Sequence, residues 1–224
     1  MKQFILLISM LGFVATSCKQ TSGEEAKVSD ATEVVEAQGK IIAVSNQESS
    51  ISWEGSKPTG THAGTIDIAQ GHVTVQDNKI VGGSFVMDMN TITVTDLDGD
   101  MKAGLEGHLK GLAEGKEDHF FNVAKYPSAK FEVSKIVTLT GDEEANSTIY
   151  GNLTIRDVTK EIGFRANISV NGDRVTVKTP QFTIDRTQWG VNYGSKSIFD
   201  DLGDKFVNDD IGLKIKLVAG QAAI

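Results

Sequence analysis

The stretch EIGFRANISVNGDRVTV, residues 161–177, decides the fold. Drawn as an extended chain, it puts Ile162, Phe164, Ala166, Ile168 and Val170 on one face and Glu161, Arg165, Asn167 and Ser169 on the other. Asn171-Gly172 then supplies a tight-turn pair, and the alternation resumes at Val175 and Val177. A period of two with one apolar face marks antiparallel strands that are dry on one side and wet on the other.

The same signature recurs outward from there. IYGNLTI (149–155) aligns Ile149, Leu153 and Ile155, and GSFVMDMN (83–90) aligns Phe85, Met87 and Met89. IGLKIKLVA (211–219) sets Ile211, Leu213, Ile215 and Leu217 against Lys214 and Lys216. Between the runs lie QDNK, TGDEEANS, IRDVTK and VNGDR, rich in the residues that turns favour. Eight strands are expected, near 50–56, 62–75, 79–90, 129–139, 148–156, 160–170, 174–186 and 206–218. So many sequential hairpins predict an all-β barrel or sandwich. One interval breaks the rhythm: in MKAGLEGHLKGLAEG, leucines 105, 109 and 112 have helical spacing, which predicts a short helical insertion around residues 101–122.

The chain begins with Met1-Lys2 and an almost continuously apolar run over residues 4–14, then ATSC ending at Cys18. That run is too short to span a bilayer and reads as a signal peptide. A small-residue site followed at once by cysteine resembles a bacterial lipoprotein signal, with Ala15 where leucine is usual; the alternative is an ordinary secreted protein with one odd thiol. The resemblance implies removal of residues 1–17, lipidation of Cys18 and a place in the cell envelope facing the periplasm or the cell surface. Cys18 is the sole cysteine, so no internal disulfide is available. Residues 18–39 are polar and poor in aromatics, which predicts a flexible tether, leaving 40–219 as one domain.

The formal charge of −8 gives no footprint for nucleic acid. DLDGDMKAGLEG places Asp96, Asp98 and Asp100 as in a calcium loop but has Met101 and Gly107 where glycine and glutamate are required. The histidines at 62, 72, 108 and 119 lack zinc-protease spacing, and no nucleophile elbow, Walker loop or dinucleotide fingerprint is present. The reading is therefore of a protein with no cofactor, no metal and no catalysis.

Four segments carry a family resemblance. HFFNVAKYPSAKF (119–131), YGNLTIRDVTKEIGF (150–164), FTIDRTQWGV (182–191) and ISWEGSKPTGTHAGTI (51–66) resemble, in order, segments of the YceI-like family. The resemblance implies an extended, lipocalin-like, antiparallel eight-stranded β-barrel holding a long-chain isoprenoid, quinone-like molecule or fatty amide. The family's Arg-Asp ahead of His108-Leu109 is missing, and KGLAEGKED lengthens the link to Phe120.

An eight-stranded barrel has room for side chains or one slender ligand. Lining candidates are Phe85, Met87, Phe131, Leu153, Phe164, Phe182 and Ile184, with Phe120 and Phe121 from the signature segment. Arg186 ends the run Phe182, Ile184, Arg186 and suits either a ligand head group or a structural ion pair. Pro180 threatens a bulge that would reverse this facing. Trp189 would cap the mouth or anchor the following loop. The alternative for the whole barrel is a filled core and an outer face that binds a protein partner; its exposed strand edges also permit a homodimer.

Overall fold

The computed structural model describes residues 21–221. Its strands are β1 (Glu24–Glu25), β2 (Lys27–Asp30), β3 (Lys40–Ala43), β4 (Ser50–Lys57), β5 (Gly60–Gln76), β6 (Lys79–Val94), β7 (Ser128–Thr138), β8 (Ser147–Ile155), β9 (Val158–Asn171), β10 (Arg174–Lys178), β11 (Phe182–Asp185) and β12 (Asp210–Ala219). Among the described residues one α-helix, α1 (Gly99–Lys110), follows β6. Neighbours from β5 through β10 pair antiparallel in sequence order. β12 pairs with β10 and β11 on one side and with β4 on the other, and β4 pairs with β5, which closes the barrel. β3 extends the β4 position along the far half of β5, and β10 and β11 share another, so eight antiparallel staves enclose the lumen.

The turns follow from sequence chemistry. Asp77-Asn78 and Arg156-Asp157 each hold positive φ at both loop positions, as two-residue hairpins with the right twist require. Within residues 161–177, Asn171 pairs with Arg174, so the loop is Gly172-Asp173, with Gly172 at φ 59°. Glycine has a second task inside the strands. Trp53 lies opposite Gly64, Phe85 opposite Gly71 and Tyr150 opposite Gly163. A Cβ on Gly64 would come within 1.9 Å of the Thr93 carbonyl oxygen and 2.5 Å of the Trp53 ring. The missing side chain lets each aromatic ring lie against its neighbour strand.

Three expectations are corrected. The run expected as one strand over 174–186 is two strands, because Pro180 has no N–H to continue the ladder. Thr179 bridges the break, its N–H donating to Ile215 O while its hydroxyl accepts from Ile215 N–H. The helix ends at Lys110, capped by Gly111 at φ 71°, so only Leu105 and Leu109 of the three spaced leucines face the lumen; Leu112 is exposed.

The third concerns the expected tether. Because β10 ends at Lys178, residues 160–163 of β9 are left without a partner on that side, and β11 has an open edge. Residues 24–30 fill the gap, with β1 parallel to β11 and β2 antiparallel to β9. Ala26 is buried, Val28 packs on the core, and Thr32 exchanges two hydrogen bonds with the Asn152 side chain. This part of the chain is barrel wall. Cys18 and the expected signal segment lie outside the described residues.

Candidate ligand-binding site

The strands end in two sets of connections. At one end are the turns 77–78 and 172–173 and the loop 139–146, while 44–49 joins β3 to β4 partway along the wall. At the other lie the β4–β5 and β8–β9 turns, the long connection 95–127 with α1, and the connection 186–209. Alternation places the apolar faces inside, but the summed side chains do not fill the interior. A cavity of about 430 Å³ runs down the barrel and opens at the second end.

A belt of four phenylalanines crosses the middle of the lumen. Phe164 and Phe182 stack with centroids 4.6 Å apart and planes 4° from parallel. Phe131 lies 5.7 Å from Phe164, and Phe85 lies 6.4 Å from Phe131. Gly151 on the intervening β8 leaves the Phe131 ring its space, since a Cβ there would meet the ring at 2.4 Å. Met87, Leu153, Ile184, Phe120 and Phe121 also line the cavity. The walls are hydrocarbon and aromatic almost throughout, so alkyl burial is what they offer a ligand.

Arg186 does face inward, despite Pro180, but most of its donors are spent. Its Nε donates to Asn208 O at 3.1 Å, Nη1 to Val191 O at 2.6 Å, and Nη2 to Val207 O at 3.0 Å, with Asp209 Oδ1 at 3.4 Å. The guanidinium also sits 5.9 Å from the Phe120 ring centroid. It is 2 % exposed, and burial pulls its pKa down against Asp209 and Asp185. Arg186 thus ties the 186–209 connection to the barrel, the structural alternative among the roles expected for it. Trp189 is not among the lining residues: it is buried behind the wall, its Nε1 donating to Leu153 O at 2.9 Å. The alternation that predicted the lining stops at Asp185, where a 3-10 turn (Arg186–Trp189) begins.

The mouth holds groups that strand periodicity does not reveal. His108 Nε2 and His119 Nδ1 lie 2.8 Å apart, and Tyr193 stacks on His119 with centroids at 4.1 Å. The His108 pKa is lowered by burial, then by the neighbouring charges of His119 and Lys116. Lys57 and Lys205 complete a polar rim. Arg156, in the β8–β9 turn, holds the two long connections together, donating to the carbonyls of Phe120 and Gly190 and pairing with Asp118 at 2.9 Å. Asp96, singled out by the calcium pattern, instead accepts from Ala63 N–H and pairs with His62. No group of three potential metal ligands exists among the described residues.

A closed antiparallel wall around an apolar lumen with one polar mouth is the architecture of a lipocalin-like barrel. The YceI-like domain model matches residues 43–219, and the chain belongs to that family. Among solved structures, it is similar to Burkholderia cenocepacia BcnA at 21 % identity, with a TM-score of 0.58, covering 79 % of this chain and 99 % of that one. It is similar as well to a polyisoprenoid-binding domain from Saccharophagus degradans implicated in plant cell wall breakdown, at 15 % identity and the same TM-score, covering 82 % of this chain and all of that one. No curated protein matches the chain.

Proposed function

We propose that this protein binds a single-chain amphiphile, such as an isoprenoid, a quinone-like molecule or a fatty amide. The tail lies in the lumen and the head sits at the His108, Tyr193 and Lys205 rim. The role is storage or transport without chemistry, performed by a lipoprotein held in the cell envelope through Cys18. The observation that carries this reading is the unfilled apolar lumen; the filled-core interaction module requires packed side chains in that space. Each methylene transferred from water into such a lumen gains about 0.8 kcal/mol. A chain of a dozen carbons therefore exceeds the ordering cost of several kcal/mol.

The test is native mass spectrometry of the full chain isolated from its own membranes, followed by organic extraction. An apolar mass in stoichiometric amount is expected, and Met87→Trp, which shortens the usable lumen, should retain less of it while still folding. A protein that is empty and also ignores added alkyl amides and prenyl chains would overturn the reading.

A further inference from the structure

We infer that the barrel mouth is docked on the bilayer that carries the anchor, so that a ligand passes between membrane and lumen without crossing water. The inference rests on the lipid-binding, lipid-anchored reading above. Its starting point is where the N-terminal chain meets the barrel. Thr21 is 5 % exposed, and its hydroxyl is 2.8 Å from Ser56 Oγ, at the mouth end of β4. Ser56 in turn accepts from Asn208 Nδ2 at 2.7 Å, and Asn208 N–H donates to Ser56 O. Thr21 also donates to Asp210 O, at the mouth end of β12. The chain is thus fixed at the rim, on the same joint that holds the 186–209 connection.

Only Lys19 and Gln20 lie between Cys18 and Thr21, so the two are three steps apart in the chain. At about 3.6 Å per residue, the anchor point lies within about 11 Å of that rim. A flexible stretch of some twenty residues would have let the domain turn freely; this distance does not. The opposite end of the barrel, with the 172–173 and 77–78 turns, cannot face the membrane at the same time.

The surface at the rim agrees. Of the nine large apolar side chains exposed among the described residues, Met101, Leu112, Tyr193, Ile198 and Phe199 belong to the two connections over the mouth. Ile198 and Phe199 are adjacent, 45 % and 47 % exposed, and held in a turn by N–H bonds to Ser195 O. Asp200, Asp201 and Asp204 follow them, so the rim fits a neutral bilayer better than an anionic one. An apolar patch beside a cavity mouth, on a protein tied to a membrane at that same edge, has the bilayer as its occupant.

The experiment reconstitutes the full lipidated chain into neutral phosphatidylethanolamine–phosphatidylcholine vesicles. Donor vesicles of the same composition supply a dansyl-labelled fatty amide, and energy transfer from Trp53 in the lumen wall and Trp189 behind it reports its arrival. Ile198→Glu with Phe199→Glu should slow uptake from vesicles about tenfold, for lost burial of two apolar side chains. Affinity for the same amide delivered from solution should not change. An unchanged uptake rate would overturn the docking. If neither protein takes the amide even from solution, the lipid-binding reading fails, and Ile198→Trp decides the docking by itself. Quenching of its added emission by brominated lipid supports a docked mouth, and emission that remains water-exposed refutes it.

Discussion

The length of ligand tail that the barrel accepts is open to calculation. Burial yields about 0.8 kcal/mol per methylene, and an unfilled core volume costs about 24 cal/mol per Å³, so one methylene corresponds to about 33 Å³. A lumen of about 430 Å³ therefore holds about 13 methylenes at that packing. Displacement of a dansyl amide by unlabelled n-alkyl amides of increasing length should show Kd falling about fourfold per methylene. The fall should stop near the filling length, with longer tails left in water at the mouth. Met87→Trp should move the break to shorter chains without altering the slope before it. Affinity that keeps rising to twice that length would refute the closed far end, and affinity indifferent to length would refute a tail in the lumen altogether.

Three further outcomes are expected. Arg186→Met leaves the carbonyls of Asn208, Val191 and Val207 without their shared donor, and unfolding by urea should show a loss of about 3–5 kcal/mol. Arg186→Lys should recover only part of it, since an ammonium cannot span the same fork. Gly64→Ala forces a methyl against the Thr93 carbonyl and the Trp53 ring, and thermal melting should show destabilisation of about 1–3 kcal/mol with the near-ultraviolet signal of Trp53 displaced. The third concerns pH. Folding lowers the His108 pKa, so the unfolded chain binds the proton more readily, and the histidine's contribution, whole above about pH 6.5, drains away as pH falls through the folded value. Comparing urea midpoints of the native chain and His108→Gln between about pH 7 and pH 5 isolates this effect; a difference that does not change with pH would contradict it.

The barrel was legible because inward residues alternate locally. Phe85, Met87, Phe131, Leu153, Phe164, Phe182 and Ile184 needed only a period of two and a sense of which face was apolar. Arg186 was placed on the correct side, but its role was not decidable, because its carbonyl partners lie in a connection that no repeat describes. Trp189 fell one turn beyond the reach of the alternation. The His108–His119–Tyr193 cluster joins residues as much as 85 positions apart, and neither helix spacing nor strand parity relates them. The segment expected as a tether is the most instructive case. Glu24 to Asp30 is as polar as a linker, and only the spacing of Ala26 and Val28 hints at a strand. What orders it is an unpaired edge on β9 and β11, a property of the finished sheet rather than of the segment.

That edge strand makes the N-terminal segment part of the vessel. Under the proposed anchoring, a pull on the N-terminal chain would be borne by the hydrogen bonds that seal the seam between β9 and β11. A protease that cuts near residue 35 would leave β1 and β2 held to the barrel by their hydrogen bonds alone, whereas removing everything before residue 40 would split the side of the lumen. The exposed rows of N–H and C=O groups would then invite another chain to fill the slot, and dimers or aggregates of such a shortened domain would report the missing stave rather than a native assembly.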